Sequence, residues 1–368
     1  MSIAIQNNSN ASNVSLSTGY AYPDPPSLDT LVPLGIILIS AIITTVGGNG
    51  FIIYAFLRFP HLRTQFNTYI FNLSIADLFV GIIVMPSFFL YNCYGYWPFG
   101  EPMCSVWVFT DWFMTFESVM VLAVISVERL WSVTWPVTYK QWHTPGQVRL
   151  VIVCTWVFVA SIWMPAFFYD RFNHDNVVED CAWDPAKNYA GGFYIGVLGY
   201  LAPFITMVVS YTIVGFKMRK RFRKTRATKG APIQTEGSSI QPRYKGISPI
   251  SHVGVTEKSI INSTTLTAGG DEKQLGNRPA KINHTANREK SALLTLGAIV
   301  VAFSICWIPF YVYFFVTLFN WGTLPTWFLT MTYWLAYLNS AVNPVLYTAL
   351  HDDFRQKLVD LFRCCRKY

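Results

Sequence analysis

Seven apolar runs of about 20 residues or more recur along the chain, each long enough to cross the hydrocarbon core of a bilayer as a helix. They fall near 31–57, 67–91, 105–130, 148–169, 190–216, 291–319 and 326–349, and Pro, Gly or charged clusters bound each one. In lipid every backbone N–H and C=O must be satisfied within the protein, which restricts spanning structures to helices and closed barrels. Runs of this length predict an all-α membrane protein with a seven-helix bundle. Composition agrees: charged residues make up 13% of the chain. An ordinary soluble domain carries roughly 25%. Pro86, Pro165, Pro203, Pro309 and Pro344 fall inside the runs, where packed neighbours absorb kinks that a soluble helix tolerates poorly.

Basic residues orient the bundle. Of 28 Lys and Arg, 16 lie between the fifth and sixth runs and five after the seventh, while none precedes Arg58. The positive-inside rule then places the amino terminus outside and the carboxyl terminus inside. The same distribution accounts for a pI near 9.0 without a nucleic-acid partner. Five segments follow: an extracellular tail over 1–30, five transmembrane helices over 31–216, a largely disordered cytoplasmic loop over 217–290, two further helices over 291–349, and an amphipathic helix with the tail over 350–368. The first segment carries Asn-x-Ser sequons at Asn7, Asn10 and Asn13 and lacks the short apolar core of a signal peptide, so it reads as a glycosylated tail. The loop opens "KMRKRFRKTR" and turns polar. Its basic ends either set topology alone or also meet anionic lipid and a cytoplasmic partner.

Cys104 and Cys181 both face the oxidising side and are able to pair. Cys154 and Cys306 lie within spans and read as packing residues. Cys364 and Cys365, just past the amphipathic "HDDFRQKLVDLFR", are palmitoylation candidates.

The third run contains "TDWFMTFES", with Asp111 and Glu117 in an otherwise apolar stretch. A carboxylate at membrane depth costs several kcal/mol and marks a candidate functional site. At about 100° per residue Thr115 and Ser118 share a face with Asp111, and Glu117 does not. Apart from Arg149 at the cytoplasmic edge of the fourth run, no Lys or Arg lies inside the other spans, which leaves an external cation as the natural partner of Asp111. The other reading is a carboxylate neutralised or hydrogen-bonded by its neighbours, and that is the preferred one for Glu117. Trp107 and Trp112 flank Asp111, and the sixth and seventh runs add Trp307, Phe310, Tyr311, Tyr333, Trp334 and Tyr337 in the same outer half. Each desolvated aromatic face attracts an ammonium by about 0.5–2 kcal/mol. Such rings at helical spacing are more often simple core than cage, and the acid among them makes the cage the better reading.

Gly48-Asn49, "LSIADL" with Asp77, Trp156, Pro203, Tyr211, "CWIP", and Asn343-Pro344 with Tyr347 together resemble a rhodopsin-like (class A) G-protein-coupled receptor across all seven spans. Within it the chain is similar to the aminergic branch, with "GYWPFG", "DWFMTFESVM" and "SVTWPVTYK" nearest the muscarinic acetylcholine group and its histamine-receptor relatives. The resemblance implies a Cys104–Cys181 disulfide and an amine held at Asp111, with Trp112, Thr115, Trp307, Phe310, Tyr311, Tyr333 and Tyr337 around it. It also implies an allosteric sodium ion at Asp77, Ser118 and Asn343, against the plainer reading of a hydrogen-bond network, and no other cofactor. The expected activation switch is Arg129 paired with Glu128 and Glu289, together with Tyr211, Pro344 and Tyr347. Leu130 departs from the family's usual tyrosine. Implied partners are a heterotrimeric G protein, arrestin, receptor kinases and membrane lipid, and no enzymatic activity is expected.

An opsin would need a lysine in the seventh span, which has none, and a hydrolase would need a catalytic constellation that the six histidines do not form. Orphan, peptide-type and serotonin or other monoamine receptors remain alternatives. Ile195, Gly196 and Gly199 stand where catecholamine receptors place serine hydroxyls, which disfavours a catechol. Two further departures weigh on the ligand: Tyr311 replaces the muscarinic asparagine, and Gly199 replaces an acid that some histamine receptors use.

Overall fold

A computed structural model describes residues 28–173, 181–185, 187–229, 278–350 and 352–365, and every regular element among them is helical. The elements in order are α1 (Leu28–Arg58), a single 3-10 turn (Pro60–Leu62), α2 (Gln65–Tyr94), α3 (Gly100–Thr134), the short α4 (Pro136–Trp142) and α5 (Pro145–Asn173). Then come α6 (Tyr189–Tyr194 continuing through Ile195–Leu201 into Ala202–Lys229), α7 (Arg278–Leu318), α8 (Thr326–Leu350) and α9 (Asp352–Cys365). The chain forms two compact units, one of Met1–Gly215 with Ser291–Tyr368 and one of Phe216–Lys290.

The helices carry their apolar side chains outward as well as inward. Ile36, Ile43, Leu150, Val157, Ile305 and Val312 are exposed, a pattern that suits acyl chains rather than water. Among the described residues, six helices have the length and apolarity to cross a membrane. The expected seventh, α8, is long enough, but Asn339, Ser340, Asn343 and its tyrosines lower its mean hydropathy. Those polar groups turn inward: Asn339, Ser340 and Asn343 are all buried. Cys306 packs in the core as expected, whereas Cys154 lies on the outer face of α5, because its position on the helix turns it away from α3.

The most apolar stretch of α3 is 78% buried against 22% for α1, so α3 runs through the middle of the bundle. Two helices contain wider π-type turns, Val80–Val84 in α2 and Ile195–Leu201 in α6. A proline follows each one. Pro86 and Pro203 lack an N–H, and in a regular α-helix their rings would clash with the carbonyl four residues back, Ile82 and Gly199, which lie inside the widened turns. Where α1 meets α8, a Cβ on Gly48 would come within 2.7 Å of the Pro344 ring. Only a hydrogen fits there, which ties the glycine of the first span to the proline of the seventh. Outside the spans, α9 buries Phe354 and sets Lys357 Nζ 5.0 Å over the Phe59 ring, docking its apolar face at the end of α1.

Candidate functional site

Asp111 is 8% exposed on the inner face of α3, and its Oδ2 accepts a hydrogen bond of 2.8 Å from the Tyr337 hydroxyl on α8. Among the described residues no basic side chain forms an ion pair with it. Aromatic rings take that space. Phe88 packs against Trp107, Tyr333, Trp334 and Tyr337 at 5.2–6.3 Å. Tyr333 continues through Phe310 at 5.3 Å to Trp307 at 5.7 Å. A cavity of about 40 Å³ remains, lined in part by Asp111, Trp112, Trp183 and Tyr333. The helical period thus brings Asp111, Tyr333, Tyr337, Phe310 and Trp307 into one ring system.

Two of the expected residues are turned elsewhere. The Thr115 hydroxyl donates back to its own helix, 2.6 Å from the Asp111 carbonyl oxygen, and also meets the Tyr200 hydroxyl. Tyr311 packs on Tyr200 and Phe204 at 5.6 and 5.4 Å, beside α6 rather than beside the acid. Four site residues escape sequence reasoning: Phe88, Trp163, Trp183 and Tyr200. Trp112 stacks on Trp163 at 5.5 Å and meets Trp183 edge-on at 4.8 Å, while Tyr200 is close enough to interact with the Asp111 charge. The disulfide between Cys104 and Cys181 is formed, and it places Trp183 over α3 two residues later.

One turn and more inward, the Asp77 carboxylate is fully buried and accepts from Ser118 (3.0 Å), Ser340 (2.7 Å) and Asn343 (2.8 Å). Ser340 is the member that sequence reasoning missed, although it lies one turn from both Tyr337 and Asn343. Glu117 points the other way, as its helical angle requires. Its Oε1 accepts from Asn72 (3.0 Å) and Thr155 (2.8 Å), and Trp156 in turn donates to Asn72 Oδ1 at 2.9 Å. Glu117→Leu is expected to lower thermal stability by about 1–3 kcal/mol because the Asn72 amide loses its buried acceptor. Glu117→Gln, which keeps a carbonyl oxygen, should lose less; equal melting temperatures for wild type and the leucine variant would show that this network does not stabilise the fold.

At the cytoplasmic end Arg129 Nε lies 3.3 Å from Glu128 Oε2, an ion pair without hydrogen-bond alignment, and its guanidinium covers the Phe66 ring at 3.5 Å. The Tyr139 hydroxyl on α4 donates to Glu128 Oε1, and His143 stacks on Tyr139 at 4.4 Å with Nε2 3.5 Å from the same oxygen. Tyr211 is hydrogen-bonded to Ser126, and Tyr347 is buried. Glu289, Cys364 and Cys365 belong to helices α7 and α9, but their side chains lie outside the described residues, as do Asn7, Asn10 and Asn13 entirely.

Burial pushes His143 below its ordinary 6.5, with Glu128 pulling in the opposite direction. A histidine with a depressed folded pKa leaves stability intact above the unfolded value and loses it as pH falls below, since the unfolded loop binds the proton first. Amide exchange over 136–142, corrected for intrinsic rates, should therefore quicken between pH 7.5 and 5.5. The His143→Phe variant should show no such step; equal protection of wild type at both pH values would contradict the assignment.

Over nearly its whole length the chain is similar to 5-hydroxytryptamine receptor 1B of Canis lupus familiaris, 28% identical over 360 residues that cover 94% of this chain and 90% of the relative. The Mus musculus receptor of that name is 28% identical over 366 residues, 96% and 93% of the two chains, and that of Homo sapiens 27% over 359 residues, 94% and 89%. Residues 48–347, from the middle of α1 to the last turn of α8, match the family described as 7 transmembrane receptor (rhodopsin family). With that match spanning the bundle and its polar clusters at Asp111, Asp77, Glu117 and Glu128, the chain belongs to the rhodopsin family of seven-transmembrane receptors.

Proposed function

We propose that this receptor, a multi-pass plasma-membrane protein and not an enzyme, answers to a small protonated amine whose ammonium binds at Asp111. The observation that carries the reading is a buried carboxylate that has, among the described residues, one neutral hydrogen-bond donor, no cation and a surround of aromatic rings. The cavity beside it measures about 40 Å³. That is close to the share of a single liquid water, roughly 30 Å³. Ordinary ligand pockets are far larger, at roughly 300–1,000 Å³. A ligand must therefore part the rings as it enters. That makes binding conditional on a rearranged bundle, and differential affinity for the rearranged state is what shifts a population toward signalling. The expected output is a cytoplasmic opening beside Arg129 that admits a heterotrimeric G protein, with arrestin and receptor kinases acting on the same face afterwards.

For the ligand itself, a compact ammonium of the acetylcholine or histamine kind suits the site. The face of α6 where hydroxyls would be offered is closed by rings: a Cβ on Gly196 would meet Phe314 at 2.8 Å and one on Gly199 would meet Phe116 at 3.1 Å. Catechol hydroxyls placed there would go unsatisfied, at about 1–3 kcal/mol each. Serotonin is the second reading, favoured by the names of the similar receptors. A panel of choline esters, histamine, serotonin and catecholamines on cells expressing the receptor, with several G-protein readouts, tests both. The compact amines should act at the lowest concentrations. Serotonin acting first would select the second reading, and a catecholamine acting first would overturn the ranking. At Asp77 the carboxylate with the Ser118 and Ser340 hydroxyl oxygens forms an all-oxygen set that fits a hard monovalent cation, and these residues with Asn343 would hold the sodium ion expected from the family. Bound there, it would supply a positive charge that favours the closed bundle.

A further inference from the structure

A second cavity, sharing no lining residue with the one at Asp111, lies between α3, α5 and α6 toward the cytoplasmic end. Its volume is about 410 Å³, within the range of ligand sites. The walls are apolar, with Ala123 and Val127 from α3, Phe158 from α5, and Leu198 and Ala202 from α6. Val127, Phe158 and Leu198 are 46%, 37% and 39% exposed on the outer surface of the bundle, so the mouth opens sideways into the bilayer. Along α3 the lining runs from Met120 to Trp131, roughly 16 Å at about 1.5 Å per residue. That is about half the roughly 30 Å hydrocarbon core, the depth of one leaflet.

The cytoplasmic end of this groove is polar. Glu128, His143 and Gln147 line it, and Glu128 Oε2 and Gln147 Oε1 are buried acceptors to which no N–H or O–H among the described residues donates. The Glu128 and His143 side chains are 4% and 8% exposed, and Gln147 is partly exposed with its Oε1 buried, so the acceptor atoms at the floor face inward. Buried acceptors of this kind are ordinarily matched by a donor. The charge at the floor is already met, because Arg129 faces Glu128 at 3.3 Å. An anionic head would be repelled by the carboxylate, and a cationic one would compete with Arg129. An uncharged donor has neither cost.

We propose that this groove binds a membrane-borne long-chain alcohol whose uncharged hydroxyl donates its one hydrogen bond to Gln147 Oε1, beside Glu128, while its apolar body lies between α3, α5 and α6. The occupant touches the side chain that pairs with Arg129 and holds Tyr139, so the site adjoins the cytoplasmic switch without involving Asp111.

The test is photolabelling of the receptor in lipid nanodiscs with a long-chain alcohol carrying a diazirine on its chain, beside the methyl ether of the same molecule, with the sites mapped by peptide mass spectrometry. The alcohol should label the groove segments of α3, α5 and α6 about fivefold more than the ether, the difference made by one hydrogen bond. Gln147→Leu should bring the alcohol down to the level of the ether. Ala202→Phe, at an exposed position on the mouth that tolerates a larger side chain, should block both probes. Equal labelling by alcohol and ether overturns the head-group assignment. Labelling spread evenly over the outer surface, or unchanged by Ala202→Phe, means ordinary surrounding lipid and overturns the site. Asp111→Asn should leave the labelling as it is, which keeps a failure here distinct from a failure of the amine reading.

Discussion

Asp111→Asn is expected to lower amine affinity by roughly 100-fold or more while the receptor still reaches the cell surface. Truncating one partner of a buried charge pair costs about 2–5 kcal/mol, and each step of about 1.4 kcal/mol is tenfold in affinity. Asparagine keeps an oxygen to accept from the Tyr337 hydroxyl, so the α3–α8 contact survives the change. It also removes a carboxylate from an apolar enclosure, which relieves the empty receptor of a buried charge. Folding and binding therefore respond in opposite directions, and that divergence is the signature of a ligand-binding acid. Competition binding at matched surface expression reads the affinity, and thermal denaturation reads the stability. Unchanged affinity would end the assignment. A joint loss of affinity and stability would instead make Asp111 a structural member of the α3–α8 contact.

Positions readable from sequence are those that periodicity controls. Asp111 and Ser118 share a face because seven residues make nearly two turns, and Glu117 lies across the helix for the same reason; the contacts to Tyr337, Asp77 and Thr155 follow those angles. Aromatic residues in apolar runs carry no such label. Trp163 and Tyr200 look like any other bulky core residue until α5 and α6 are seen to turn them against Trp112. Ser340 is similar, a small hydroxyl whose partner on α2 is 263 residues away in sequence. The π-type turns before Pro86 and Pro203 depend on how each helix relieves its proline, which the tertiary contacts decide. Likewise α4, with "PVTYKQW", has no apolar face long enough to announce a helix, and it is held by Tyr139 on Glu128. Short motifs pointed toward muscarinic and histamine receptors, while the relatives matched over nearly the whole chain are 5-hydroxytryptamine receptors. Those motifs sample loops and a stretch of α3, whereas the match to the relatives runs over 94–96% of the chain.

Removal of the disulfide in the double variant Cys104→Ser, Cys181→Ser is expected to weaken ligand binding by about 10- to 100-fold without dissolving the bundle. The bond joins residues 77 apart in sequence. In a soluble chain, closing a loop of that size contributes on the order of 4–5 kcal/mol. Here α3 and α5 are already held by the membrane and by their own packing, so the lost constraint falls mainly on the segment after Cys181. That segment carries Trp183, only 3% exposed, edge-on to Trp112 at 4.8 Å and to Trp163 at 5.5 Å. Once untethered, it must hold the indole in place by burial alone, worth about 1.5–3 kcal/mol for a large apolar side chain. The indole leaves part of the time, water reaches the ring system, and every attraction between an ammonium and the rings weakens as the local dielectric rises. Trp183→Ala separates the two contributions, because it removes the indole and keeps the bond. If the tether acts through Trp183, the alanine variant and the double serine variant should lose similar affinity, and combining them should add little. Additive losses would show that the disulfide shapes the site by another route, through the position of α3 itself, and full affinity in the double serine variant would show that packing alone holds the indole over Asp111.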